Sequence, residues 1–153
     1  MSSLTFRNLD VSPDQPVSEW PLEAIQTALE RGSLSDWRRL ASEIWDQPWG
    51  PVARGIEEVL TYSRPYGVAP LMERVTVTAR HAAEAAERQA VSKEVARLIH
   101  TSGLSQAEFA SRIGTSASRL STYATGRVTP SAALLVRMRR VPTLTRDTGP
   151  AEA

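Results

Sequence analysis

The chain has 153 residues, enough for one ordinary domain or two small ones, and its 41% hydrophobic and 23% charged residues are the proportions of a soluble globular protein. It has no cysteine, which excludes disulfides and thiolate metal sites, and no apolar run approaches the length of a membrane span. The formal net charge of +1 hides an asymmetry: residues 1–91 carry nine Lys/Arg against thirteen Asp/Glu, whereas residues 92–141 carry eight against two. A basic segment joined to a mildly acidic one suits a polyanionic partner for the basic part, with a chance distribution as the alternative. Residues 1–10 lack a basic flank followed by an apolar core, so no secretory signal is expected and the cytoplasm is the default location.

Residues 1–18 read as an N-terminal arm. Leu4, Phe6, Leu9 and Val11 suit either one short strand or a segment packed on the body, and Pro13 and Pro16 break it. A Trp-rich helical domain is expected over 19–69. Its first helix covers 20–31, with Ser18 as N-cap, Pro21 in the first turn, Leu22, Ile25, Ala28 and Leu29 inward, and Gly32 as the stop. Ser35 is expected to cap the second helix, whose inward residues are Trp37, Leu40, Ala41, Ile44 and Trp45, and Pro48 stops it. A third helix over 51–62 turns Val52, Ile56, Val59 and Leu60 inward, and residues 63–67 form a turn. The spacing then predicts a helix over 70–91 with a weak stripe of Leu71, Val75, Ala79, Ala82, Ala83, Ala86 and Ala90. Alanine forms helix readily but buries little surface. This helix reads as a linker, either continuous with the next element or packed against a second copy. All four tryptophans, Trp20, Trp37, Trp45 and Trp49, precede residue 50. They are expected to fill the core of the first domain, with a partner-binding surface as the alternative.

The pattern changes at Ser92. Val95, Leu98 and Ile99 form the apolar face of a helix that Gly103 ends. Ser105 and Glu108 fit a reciprocal cap at the start of the next helix, where Phe109, Ala110 and Ile113 face inward and Gly114 makes a sharp turn. A helix over 115–125 follows, with Leu120, Tyr123 and Ala124 inward. Its other face is Ser, Ala and Thr with a single long side chain, Arg119: a poor solubility face and a reasonable surface to press into a groove. Gly126, Arg127 and Thr129-Pro130 lead to a last helix with Ala132, Leu134, Leu135 and Met138, which ends in Arg137, Arg139 and Arg140 before Pro142. Residues 142–153 read as a disordered tail.

Leu104, Gln106, Glu108, Ala110, Gly114, Ser116, Leu120, Gly126, Arg127 and Pro130 give residues 92–141 a close resemblance to the Cro/repressor-type (XRE) helix-turn-helix family. The resemblance implies an all-α chain with a C-terminal five-helix DNA-binding domain and helix 115–125 in the major groove of double-stranded DNA. By position it implies base contacts from Ala117, Ser118, Thr122 and Gln106, the last reaching a phosphate or a base. Phosphate contacts fall to Ser105, Ser116, Arg119, Thr125 and Arg127. A solvated helix surface is the alternative for each, and for Arg137, Arg139 and Arg140 the alternative is to complement a helix C-terminus. Ala117 offers only a methyl group and Ser118 is short, so direct readout is expected to be sparse and helped by DNA shape. Such bacterial regulators, repressors among them, act as homodimers on inverted repeats.

Trp20-Pro21-Leu22-Glu23 and Ser63-Arg64-Pro65-Tyr66-Gly67 make residues 1–90 similar to an uncharacterised helical region of actinobacterial regulators. Three roles compete there: dimerisation, sensing an effector, and neutralising a partner protein, as an antitoxin does that represses its own operon. No enzyme, cofactor or metal is expected. His81 and His100 lack a nucleophile partner, Asp36, Glu57 and Glu58 are ordinary helix carboxylates, and no phosphate loop or metal spacing occurs.

Overall fold

A computed structural model describes residues 4–143, and residues 144–153 of the expected tail lie outside it. The described residues are helical without a strand: a 3-10 turn at Val17–Glu19, then α1 (Leu22–Arg31), α2 (Leu34–Asp46), α3 (Pro51–Leu60), α4 (Val68–Ser102), α5 (Gln106–Ile113), α6 (Ala117–Ala124) and α7 (Ala132–Arg139). They divide into two compact units, Met1–Glu84 and Ala85–Ala153, and α4 contributes to both.

The first unit encloses a core of Ala24, Ile25, Ala28 and Leu29 from α1, Leu40 and Ile44 from α2, and Val52, Ile56 and Val59 from α3. From α4 it takes Val68, Ala69, Met72 and Ala79. Thr76 is buried among them because its hydroxyl donates to the Met72 carbonyl at 2.8 Å, which spares it an unpaired polar group. The inward face of α4 keeps only Val75 and Ala79 of the expected stripe against this core. Leu71 is exposed, as are Ala82, Ala86 and Ala90, since 68, 69, 72, 76 and 79 follow the helical period against the core. Gly55 lets α1 and α3 approach: a Cβ there would lie 3.1 Å from Ile25 Cδ1.

Two caps differ from expectation. Ser18 lies inside the 3-10 turn, and α1 starts on Pro21, whose extended backbone (φ −69°, ψ 169°) leads into the helix. In α2 the cap is Ser33, not Ser35. The Ser33 amide donates to Asp36 Oδ2 at 2.8 Å and its hydroxyl donates to the same oxygen at 3.2 Å. An aspartate at the third helical position completes the reciprocal cap here, in place of the more usual Glu or Gln.

The arm forms no strand, because its backbone finds no partner strand. It is packed and pinned instead. Leu4 is buried, and Phe6, Leu9 and Val11 pack on the core. Trp20 stands edge-on to Phe6 (centroids 5.1 Å, 86°) and its Nε1 donates to the Gln15 carbonyl at 3.1 Å. Arg39 lies 4.9 Å from the Trp20 ring centroid and donates to the carbonyls of Pro13 (2.7 Å) and Gln15 (2.9 Å). Only part of the tryptophan expectation holds. Trp20 is buried and Trp37 is half-buried with its Nε1 on the Ala28 carbonyl at 2.9 Å, whereas Trp45 and Trp49 are 49% and 45% exposed. Helical spacing cannot separate a residue at the edge of an apolar face from one at its centre.

Gly32 ends α1 with ordinary backbone angles (φ −71°), so its requirement is steric: a Cβ would lie 2.3 Å from the Ala28 carbonyl oxygen. Gly32→Ala is expected to cost about 1–3 kcal/mol, the usual range for overpacking a tight site. All four tryptophans precede residue 50, so chemical denaturation followed by Trp fluorescence reports this unit, and an unshifted midpoint would refute the steric reading.

The second unit packs Val95 of α4, Phe109, Ala110 and Ile113 of α5, Leu120 and Tyr123 of α6 and Met138 of α7 into one core. Four helices, counting the end of α4, build this unit among the described residues, one fewer than the five expected. The six residues Thr125–Val128 and Thr129–Pro130 between α6 and Ser131 include Gly126 and Pro130 and are too short and too broken for another helix.

Candidate nucleic-acid interface

Two short helices and the turn between them present the surface. At the start of α5 the Ser105 hydroxyl accepts the Glu108 amide (3.2 Å), and the Glu108 carboxylate accepts the Ser105 amide (3.0 Å). At its end Gly114 takes a left-handed conformation (φ 77°), which a side chain would strain, and the Thr115 amide donates back to the Ala110 carbonyl at 3.0 Å. Arg137 adds a hydrogen bond from Nη1 to the Ile113 carbonyl at 2.8 Å. The chain then enters α6 through Ser116, whose hydroxyl accepts the Arg119 amide at 3.2 Å. Buried Leu120 and Tyr123 fix the inward face of α6 and so decide which residues remain outside. The helix covers Ala117–Ala124, with Thr115 and Ser116 as lead-in and Thr125 at the C-cap of the expected 115–125 stretch.

Ser118, Ser121, Thr122, Thr125 and Arg127 line one concave surface. The first four share a helix face by their spacing of three and four, and Arg127 follows Gly126 (φ 81°) just beyond the helix. The chain after the helix folds back: the Val128 amide donates to the Thr122 carbonyl at 3.2 Å. Two hydroxyls on this surface are turned to the helix itself. Thr122 Oγ1 donates to the Arg119 carbonyl at 2.6 Å, and Thr125 Oγ1 donates to the Ser121 carbonyl at 2.9 Å. Ser118 Oγ lies 3.2 Å from Ser116 Oγ, and Ala117 is exposed in the first turn.

The remaining expected residues lie elsewhere on the unit. Ser105 and Gln106 are exposed at the start of α5, with the Ser105 hydroxyl still able to donate after accepting the Glu108 amide. Arg119 lines a separate concavity with Thr115, Tyr123, Thr129 and Ser131, about 100° around α6 from Ser118 by the helical period. Ser121 joins the Ser118 surface although the sequence reading passed it over. Its position three residues after Ser118 was the available signal. Of the three terminal arginines, Arg137 caps α5 and Arg139 pairs with Glu94 through Nε–Oε1 at 2.7 Å and Nη2–Oε2 at 3.1 Å. That hydrogen bond holds the Glu94 carboxyl below the usual carboxylate range. Complementing a helix C-terminus therefore describes Arg137, but the C-terminus belongs to α5 and not to its own helix.

His81 and His100 are both exposed on α4. Among the described residues no group of three or more His, Asp or Glu side chains is positioned to hold a metal ion, and no helix is long and apolar enough to cross a membrane.

Comparison with protein families matches residues 95–146 to a family described as Helix-turn-helix. Neither the comparison with curated proteins nor that with solved structures gave a match.

Proposed function

From the premise that residues 95–146 are a helix-turn-helix domain of the Cro/repressor type, we propose that the protein is a sequence-specific regulator of transcription acting on double-stranded DNA in a bacterial cytoplasm. The observation that carries this reading is the coincidence of the family match with the capped pair α5 and α6, whose outward face is free of packing. In this reading α6 enters the major groove. Ala117, Ser118, Ser121 and Thr122 meet base edges. Gln106 reaches a phosphate or a base, and Ser105, Ser116, Thr125 and Arg127 approach the backbone, where amides at the start of α5 also favour phosphate. Arg119, around the helix from this face, reaches a flanking phosphate. Two copies bind an inverted repeat with half-sites about 34–36 Å apart, one turn of DNA.

Unbiased selection of bound duplexes by the full chain tests the whole reading, and failure to enrich any sequence would overturn it. With a selected site in hand, Arg127→Ala is expected to weaken all sequences alike and lower the salt slope by about 1. Ser118→Ala with Thr122→Ala is expected to change sequence preference while leaving that slope in place. Mass photometry of the complex checks the stoichiometry, and one chain stably bound to one half-site would refute the dimer.

The exposure of Trp45 and Trp49 favours a second role for the first unit, binding a partner protein, as an antitoxin autoregulating its operon does. Co-purification of the product of an adjacent gene, lost on replacing both tryptophans by alanine, tests it.

A further inference from the structure

We infer that α6 reads thymine methyl groups, so that thymine occupies the positions it faces within each half-site. This rests on the helix-turn-helix reading above, which makes the α6 face a DNA surface in the first place, and it concerns what that face can recognise.

In the major groove guanine presents two adjacent acceptors, N7 and O6, which proteins most often satisfy with the paired donors of Arg or Lys. No such side chain occurs among Ala117, Ser118, Ser121, Thr122 and Thr125. Arg119 lines the other concavity, and Arg127 stands beyond the end of the helix.

The hydroxyls are also less available than the sequence implies. Thr122 and Thr125 commit their O–H groups to the carbonyls of Arg119 and Ser121, which leaves the γ-methyl as the other substituent on each Cβ. Ser118 and Ser116 lie within hydrogen-bond distance of each other, so one of those hydroxyls is also engaged. With the exposed Ala117 Cβ, the base-facing part of the helix offers the methyl groups of Ala117 and Thr122, beside serine hydroxyls and a Thr122 oxygen that can now only accept. The base feature that matches a methyl surface is the thymine C5-methyl, and cytosine has hydrogen in its place.

Deoxyuridine isolates this contact, since it keeps every hydrogen-bonding group of thymidine and removes only the methyl. Duplexes selected from a random pool by the full chain are re-made with one thymine at a time replaced by uracil, and their affinities are measured by fluorescence anisotropy. At one or more positions within each half-site, affinity is expected to fall about fourfold, the equivalent of about 0.8 kcal/mol for one buried methyl-sized group. Thr122→Ser keeps the hydroxyl and removes the methyl, so in this variant the uracil penalty is expected to disappear at one of those positions and persist at the others. A general change of DNA shape would not be position-selective in this way. Uracil substitutions that all change affinity less than twofold, or selected half-sites with no preferred thymine, would overturn the methyl readout while leaving DNA binding intact. Absence of any selected duplex would overturn both.

Discussion

The Phe109→Ala chain is expected to lose DNA binding altogether. Phe109 is fully buried in the core that joins α4, α5, α6 and α7. Phe-to-Ala changes in such positions cost about 3–5 kcal/mol. A unit of this size has a total stability of only about 3–9 kcal/mol, at roughly 0.05–0.15 kcal/mol per residue. The three helices after α4 have eight residues each, far below the length at which an isolated helix holds in water, so their geometry depends on this packing. A partial loss of far-UV circular dichroism at room temperature, the share of the second unit's helices, and loss of the gel shift should appear together. The Trp fluorescence transition, which reports only the first unit, should keep its midpoint. A Phe109→Ala chain that binds its selected duplex within threefold of the parent would refute this account of the core.

Trp20→Ala is expected to be the most damaging single change in the first unit, again by about 3–5 kcal/mol. Removal of the ring leaves a void under the arm, deletes the edge-on contact with Phe6 and takes away the surface on which the Arg39 guanidinium lies. The Gln15 carbonyl keeps its bond from Arg39, so the arm is weakened rather than freed at a stroke. Limited proteolysis should cut between residues 5 and 16 before the rest of the unit, and thermal unfolding should move down by many degrees. Trp45→Ala, at an exposed position, is the matched control and should shift stability by less than about 0.5 kcal/mol. Equal effects of the two substitutions would contradict the packing described for Trp20.

The second half of the chain was legible in advance because its signals are local. Ser105 with Glu108, the left-handed Gly114, and Leu120 with Tyr123 each lie within a few residues of one another. A cap or a helical period is written in consecutive sequence. The first half was less legible. Ser33 with Asp36 is as local as Ser105 with Glu108, yet it uses a shorter acid, and Ser35 stands close enough to compete as the cap. The apolar residues Leu4, Phe6, Leu9 and Val11 indicate burial but not its form, because a strand needs a partner that no local pattern can supply.

By itself the sequence determined the run of helices after the arm, a basic C-terminal part, and a helix-turn-helix pair whose outward face is made of small residues. Only the tertiary structure decided what the long side chains do. Arg137 is committed to a carbonyl 24 residues away and Arg139 to a carboxylate 45 residues away, while Arg127 remains at the end of the α6 surface. It also turned the Thr122 and Thr125 hydroxyls to their own helix and left Trp45 and Trp49 exposed. The physical reason is one of range. Helix formation and capping are governed by neighbours along the chain, whereas the availability of a charged or polar group depends on which distant element the fold brings beside it.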